Sequence, residues 1–222
     1  MTPGHPPSLP CWTIFGMRLH LPGGGVMSWT CIKRLQHGLL SNISHLTMTA
    51  ESIVLYEDRN FQGRSYECKG DTSDLHTFFS RCNSARVNGG CWVLYERPNY
   101  MGYQYILAPG EYPDYHHWIG FNDCVRSCRL VRHVSGHLKL KIFERPNFDG
   151  QMWEVTESTP SIQERFLCKE VHSCKVLEGP CVFFEHANYL GRQYLLEKGE
   201  YSRHTEWGAM TPNVGSVRQI PL

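Results

Sequence analysis

Short apolar runs alternate with polar turns along most of the chain, and this pattern predicts β-strands. The runs are rich in β-branched and aromatic residues, and the turns are rich in Asn, Pro and Gly. No long stretch keeps a helical period, although PSIQERF predicts one short helix. We therefore expect an all-β fold with about four strands in each repeated unit and about eight in each domain. The runs that open the units are SIVLYE, CWVLYE, LKLKIFE and CVFFE.

Each opening run leads into the same template of eight residues. Its first and sixth positions are aromatic, its second is Glu, its fifth is Asn and its eighth is Gly. A serine follows the first aromatic after 28, 32, 30 and 32 residues in the four copies. Two linked elements that occur four times indicate an internal repeat. The copies are YEDRNFQG, YERPNYMG, FERPNFDG and FEHANYLG.

The template has a physical rationale as a folded hairpin. Glycine supplies a backbone conformation that a Cβ disfavours, so the hairpin can fold sharply over the sheet. The aromatics can pack on it, and the serine hydroxyl can satisfy exposed backbone groups. Nucleophilic catalysis is the alternative role, but no serine stands in Gly-x-Ser-x-Gly and a catalyst does not need four copies. The predicted hairpin residues are Tyr56, Phe61, Gly63, Ser84, Tyr95, Tyr100, Gly102, Ser127, Phe143, Phe148, Gly150, Ser173, Phe184, Tyr189, Gly191 and Ser216.

The repeats group two and two. Their starts are separated by 39, 48 and 41 residues, and the long middle interval carries extra residues around RHVSGHL. We therefore predict one domain over 51–131, a linker over 132–138 and a second domain over 139–222. Residues 1–50 contain no copy of the template.

Charge and composition exclude several classes of function. Lys and Arg total 22 against 21 for Asp and Glu, so the global basic field that favours nucleic-acid binding is missing. Apolar runs such as Ile53–Leu55 fall far short of the roughly 20 residues that cross a bilayer. The start of the chain lacks the charged n-region of a secretory signal. The ten cysteines are therefore expected as mostly buried, free thiols in the cytoplasm.

The sequence offers few candidate residues for metal binding or catalysis. Cys124 and Cys128 form a C-x3-C pair without the second pair of a zinc site. His116 and His117 are adjacent, and strand neighbours point to opposite faces, so solvated loop histidines are the favoured interpretation. We expect no catalytic residue, metal or cofactor. Thiols of the region from Cys124 to Cys128 are expected to be exposed and prone to oxidation.

The hairpins and their serines resemble the Greek-key motifs of the βγ-crystallin superfamily. The stretch GGCWVLYERPNYMGYQYILAPGEYPDYHHWIGFNDCVRSCRLV is similar to the second motif of vertebrate lens γ-crystallins, and the likeness runs from about Glu51 to Leu222. It implies two β-sandwich domains, each of two Greek-key motifs, in a monomer with approximate twofold symmetry. It also implies an apolar interdomain interface, for which burial inside each domain is the alternative. The implied residues are Val93, Ile106, Val131, Val182, Leu195 and Ile220.

The resemblance also implies a function. Such a chain would be a structural constituent of the eye lens: a long-lived, soluble, refractive protein of the fibre-cell cytoplasm, with weak contacts to other crystallins. The alternative is a calcium-binding or stress-related βγ module outside the lens. Only NDCVRS approaches the family's calcium motif, and Arg126 stands where a Ser or Thr ligand belongs. We therefore expect no specific calcium binding.

Two further departures from the family stand out. Cys181 replaces the Trp that begins the fourth motif. Residues 1–50 have no family counterpart and are expected to be a disordered arm, or a gene-model extension ahead of a start at Met48.

Overall fold

The computed structural model describes residues 51–132, 136–168 and 170–220. The predictions for residues 1–50 and for the middle of the linker lie outside these ranges. The described residues form fourteen strands, five short 3₁₀ turns and one helix, so the predicted all-β class is confirmed. The strands of the first domain are β1 (Ile53–Tyr56), β2 (Ser65–Cys68), β3 (Ser84–Val87), β4 (Trp92–Arg97), β5 (Met101–Leu107), β6 (Gly110–Tyr112) and β7 (Ser127–Leu130).

The second domain repeats this order. Its strands are β8 (Lys139–Phe143), β9 (Met152–Val155), β10 (Ser173–Glu178), β11 (Cys181–His186), β12 (Leu190–Leu196), β13 (Gly199–Tyr201) and β14 (Ser216–Gln219). The single helix, α1, spans Ile162–Phe166 and confirms the helix predicted for PSIQERF. Ser161 begins it by accepting a hydrogen bond from the Glu164 N–H at 3.2 Å. Among the described residues no helix has the length and apolarity to cross a membrane.

Strand exchange between neighbouring repeats gives each domain its Greek-key topology. One antiparallel sheet has the order β2-β1-β3-β6, in which β6 belongs to the second repeat. The equivalent sheet of the second domain has the order β13-β10-β8-β9. The third sheet, β14-β11-β12-β5-β4-β7, combines strands of both domains. Each domain is therefore a two-layer sandwich, and one sheet continues from the first domain into the second.

The predicted eight strands per domain are one too many for the described residues. The missing strand of each domain is reduced to a single bridge, Thr72 with Cys128 and Thr159 with Val217. Thr72 lies in KGDTSD, where Gly, Asp and Ser favour turns over extended pairing. The chain therefore touches the sheet there at one residue and turns away.

Strands β4 and β11 are buried on both faces, which explains their unbroken apolar runs. In β4, Trp92 and Leu94 pack in the core of the first domain. Val93 and Tyr95 point to the opposite face and belong to a separate apolar cluster. The alternation follows the two-residue period of a strand. One run thus serves two cores at once.

Gly215 permits a very close approach of two chain segments in the fourth repeat. Its N–H donates to the carbonyl of Phe184 at 2.8 Å. A Cβ at this position would overlap the backbone of His186 and Ala187. The other repeats carry Asn83, Arg126 and His172 at the equivalent position and form the same hydrogen bond to their first aromatic residue, so the bond is shared and only the glycine is particular to the fourth repeat.

We expect Gly215→Ala to destabilise the second domain by about 3 kcal/mol, because backbone atoms cannot move aside for a methyl group as a side chain can. Urea unfolding, followed by tryptophan fluorescence, measures this loss. Gly199→Ala in the same domain is the control, since a Cβ there meets no atom closer than 3.8 Å. Equal stability of the two variants would contradict the close-approach argument.

Candidate functional site

Two consecutive non-glycine residues adopt left-handed backbone in each hairpin. In the first repeat these are Asn60, with φ of 53°, and Phe61, with φ of 64°. Gly63 follows with φ of 78°. Asn accepts this region better than most residues, but an aromatic residue pays a strain of about 1–2 kcal/mol for it. The same pair recurs as Asn99–Tyr100, Asn147–Phe148 and Asn188–Tyr189.

A buried serine holds this strained turn with two hydrogen bonds. The hydroxyl of Ser84 accepts from the Phe61 N–H at 2.9 Å and donates to the Asp58 carbonyl at 2.5 Å. Both backbone groups lie inside the turn, where no strand can pair with them. The corresponding distances are 3.0 and 2.6 Å at Ser127, 3.0 and 2.6 Å at Ser173, and 2.9 and 2.7 Å at Ser216.

The two template aromatics form an edge-to-face pair in every repeat. The ring centroids of Tyr56 and Phe61 are 5.7 Å apart, with the ring planes at 72°. This geometry places a ring edge against a π face, which favours contact beyond simple burial. The other pairs are Tyr95–Tyr100 at 5.7 Å, Phe143–Phe148 at 5.7 Å and Phe184–Tyr189 at 5.6 Å.

The structure adds a cation to the hairpin that the sequence argument missed. The guanidinium carbon of Arg86 lies 4.0 Å from the Phe61 ring centroid. Lys175 and Arg218 cover Phe148 and Tyr189 in the same way, each at 4.1 Å. All three stand two residues after the hairpin serine. The signal was present as Ser-x-Arg/Lys in SAR, SCR, SCK and SVR.

An apolar cluster lies between the two domains, apart from both domain cores. It joins the outward faces of β4 and β11 with the neighbouring strands of the shared sheet. All six residues that the resemblance implied belong to it, five as buried members and Ile106 as a partly buried one. They are Val93, Ile106, Val131, Val182, Leu195 and Ile220.

Two glutamines form hydrogen bonds between the domains at the edge of this cluster. Gln104 and Gln193 face each other where β5 pairs with β12. Gln193 Oε1 accepts from the Ile106 N–H at 3.2 Å, and Gln104 Oε1 accepts from the Leu195 N–H at 3.0 Å. Gln193 Nε2 also donates to the Trp118 carbonyl at 3.1 Å. The sequence signal for this pair was the shared tripeptide YQY or RQY after the template glycine.

Among the residues that the structure describes, one ion pair crosses the interface. Arg129 Nη2 donates to Glu197 Oε2 at 3.0 Å, and about one third of each side chain is exposed. Burial alone would lower the pKa of the Arg129 guanidinium, but Tyr95 and Glu197 beside it raise that pKa overall. Arg129 occupies the position two residues after Ser127, where the other repeats stack a cation on the hairpin.

The structure agrees with one expectation about side-chain chemistry and corrects another. His116 and His117 are exposed in a short 3₁₀ turn, in keeping with solvated loop histidines, and both Nδ1 atoms approach Asp114 Oδ1, at 3.3 and 3.0 Å. The thiol of Cys124 is partly exposed, but Cys128 is fully buried, so the expectation of exposed thiols was wrong for Cys128.

Burial makes most of the thiols poor nucleophiles. It raises the pKa of Cys82 and of Cys181 to about 12. The hydrogen bond between Cys68 and Cys128, together with burial, raises the pKa of Cys128, whereas the same bond lowers the pKa of Cys68. Thiols with such raised pKa values hold almost no thiolate at neutral pH, and the thiolate is the reactive form. Cys11 and Cys31 lie outside the described residues.

In the segment that resembles the family's calcium motif, two side chains already form hydrogen bonds within the fold. Asn122 Oδ1 accepts from the Cys124 N–H at 2.9 Å, so one candidate ligand oxygen is already used. Arg126 donates to the Ser80 carbonyl at 2.7 Å, and its side chain offers no oxygen ligand at the position where the family motif has Ser or Thr. Within the described ranges, no three His, Cys, Asp or Glu side chains gather as metal ligands.

We expect Ser84→Ala to cost about 1–3 kcal/mol of unfolding free energy, because it leaves the Phe61 N–H and the Asp58 carbonyl without their partner. Ser65→Ala is the control: Ser65 is exposed on β2 of the same domain, and its loss should change stability by less than about 0.5 kcal/mol. Urea titration of both variants measures the difference. A Ser84→Ala variant as stable as the control would show that the hairpin does not need the serine.

We expect a double-mutant cycle of Arg129→Met and Glu197→Gln to give a coupling energy of about 0.5–1 kcal/mol, as for a partly exposed pair. The coupling should shrink in 1 M salt, since the screening length falls to roughly 3 Å. The control cycle uses Lys175 and Glu200, a pair at 2.8 Å within the second domain. Removing the Arg129–Glu197 pair should change the cooperativity with which the two domains unfold, whereas removing the Lys175–Glu200 pair should not. An equal effect of the two pairs on this cooperativity would contradict a role of Arg129 between the domains.

Comparison with known proteins identifies the family. A family model described as Beta/Gamma crystallin matches residues 52–131 and 139–220. Gamma-crystallin M2 of Chiloscyllium indicum is 55% identical over 168 residues, which cover 76% of this chain and 96% of the relative. Gamma-crystallin S of Cyprinus carpio is 56% identical over 169 residues, with 76% and 97% covered. Gamma-crystallin B of Bos taurus is 56% identical over 168 residues, with 76% and 96% covered. These matches confirm the resemblance seen in the sequence: the chain belongs to the beta/gamma crystallin family.

Proposed function

We propose that this protein is a structural constituent of the eye lens, where it serves as a soluble refractive protein that supports transparency and visual perception. The observation that carries the proposal is the fourfold hairpin in a chain about 55% identical to several gamma-crystallins over nearly their whole length. The repeated polar residues are used inside the fold. Each of the four serines is fully buried and bonded within its own hairpin. Such residues support a lasting fold and offer no group to a substrate.

Composition supports a refractive role. Arg outnumbers Lys by 15 to 7, and 27 aromatic residues accompany ten Cys and seven Met. These side chains are polarisable, and polarisable groups raise the refractive index per mass of protein. Positive and negative charges are nearly balanced, which permits close approach without long-range repulsion.

The fold also suits a protein that is rarely replaced. A shared sheet, an apolar cluster, two glutamines and an ion pair join the domains, so opening one domain disturbs the other. Long life depends on the unfolding barrier as much as on the equilibrium free energy. Buried thiols of raised pKa add protection, because they resist oxidation.

Location and partners follow from the same proposal. We place the protein in the cytoplasm of lens fibre cells, mainly as a monomer with weak contacts to other crystallins. We propose no catalytic activity, no nucleic-acid partner and no membrane association. The balanced charge and the internal use of the repeated polar residues support these assignments.

The test is protein abundance across tissues by mass spectrometry, with the N-terminal peptide recorded. We expect the protein to be concentrated in the lens and to begin near Met48. A calcium titration of the purified protein accompanies it, and we expect no saturable binding. Low abundance spread over other tissues, together with saturable calcium binding, would overturn the lens role and favour the calcium-binding or stress-related alternative.

A further inference from the structure

The interface between the domains is built differently at its two ends. The second and fourth repeats correspond position by position, since the serine follows the opening aromatic by 32 residues in both. Arg129 and Arg218 are therefore equivalent, each two residues after its serine. Arg129 reaches Glu197 across the interface at 3.0 Å. The residue equivalent to Glu197 in the second repeat is Ala108, six residues after the template glycine, and it offers Arg218 no carboxylate.

A cavity of about 190 Å³ lies at the end where the carboxylate is missing. Ile106, Ala108 and Ile119 line it from the first domain, and Val182 and Phe184 line it from the second. The rings of Trp118 and Tyr112 complete an apolar and aromatic wall. For comparison, a dry apolar cavity of about 150 Å³ holds a benzene molecule. By volume, the space is therefore large enough for an aromatic ring with a short substituent.

Arg218 brings a permanent positive charge to this cavity, whose lining contains no Asp or Glu. His117 also lines the cavity, and its Nδ1 lies 3.0 Å from Asp114 Oδ1. The Arg218 guanidinium carbon lies 4.1 Å from the Tyr189 ring centroid. Within the described ranges its exposed side chain forms no ion pair or hydrogen bond, so its N–H groups are available to a ligand that occupies the cavity. At the other end, both Glu197 and Tyr95 lie beside Arg129, whereas the equivalent of Tyr95 here is Phe184.

We propose that this cavity binds a small aromatic carboxylate. The carboxylate pairs with Arg218, as Glu197 pairs with Arg129, and the ring occupies the apolar space that Ala108 leaves open. The pseudosymmetry of the interface defines the chemistry of the ligand, because it shows which group completes the same position in the other half of the molecule. An arginine fork matches a carboxylate in geometry as well as in charge.

The test is an NMR titration of the full, ¹⁵N-labelled chain with phenylacetate, and with phenylacetamide as the uncharged analogue. We expect saturable binding of one phenylacetate, with shifts at the amides of Ile106, Ile119 and Val182, and at least tenfold weaker binding of the amide. Arg218→Gln should reduce phenylacetate affinity to that of phenylacetamide. Arg203→Gln is the charge-matched control, since Arg203 lies outside the cavity lining, and it should leave affinity unchanged.

Two further variants exchange the residue types at the equivalent positions 108 and 197. Ala108→Glu should fill the cavity, pair with Arg218 and abolish binding. Glu197→Ala should open an equivalent space beside Arg129 and raise the stoichiometry from one phenylacetate to two. Equal affinity for phenylacetate and phenylacetamide, an unaffected Arg218→Gln variant, or no saturation at the solubility limit of phenylacetate would each overturn the proposal. If Ala108→Glu does not fold, the Arg218→Gln result decides. None of these outcomes changes the tissue distribution on which the proposed lens function depends.

Discussion

The double hydrogen bond of a buried serine is the interaction on which the rest of the structure depends. It fixes a turn that the backbone alone would avoid, because an Asn and an aromatic residue both stand in the left-handed region. The folded hairpin brings the aromatic pair together and gives the following cation a ring to cover. With four such turns in place, each chain segment re-enters its sheet at a defined register. Each repeat can then exchange a strand with its neighbour and enclose a domain core.

The interface between the domains is a consequence of the same construction. Once the hairpin directs β4 and β11 across the sandwich, Val93 and Val182 must face away from the domain cores. An exposed apolar face of this kind is stable only when covered, and the other domain covers it. The two glutamines then take up backbone N–H groups at the edges of β5 and β12. Apolar contact supplies the attraction, and the polar edge sets the alignment.

Much of this could be predicted from the sequence because the repeat is local. The aromatics, the glycine and the serine recur at nearly fixed spacing, and each has one clear physical use in a hairpin. The cation after each serine was equally visible as Ser-x-Arg/Lys. Its contact with the hairpin could not be predicted, because the sequence does not show that β3, β10 and β14 lie over the hairpin rings. The strand count failed for the opposite reason. Thr72 and Thr159 pair at a single residue, and sequence patterns do not distinguish one bridge from a short strand.

What the repeat could not predict is where the four copies stop being equivalent. Arg129 and Arg218 share the Ser-x-Arg motif, yet one crosses the interface to Glu197 and the other lies over Tyr189. The difference arises outside this motif, in Glu197 against Ala108 of the partner repeat and in Tyr95 against Phe184 of the arginine's own repeat. The approximate symmetry therefore allows equivalent positions of the two domains to form different contacts. The fold is maintained by the hairpins and not by the interface ion pair. One end of the interface can therefore lose a contact and leave a cavity, while the other end keeps the domains aligned. Departures from the repeat can accumulate at the interface without loss of the fold, and it is there that a chain of this kind can acquire a property its hairpins do not provide.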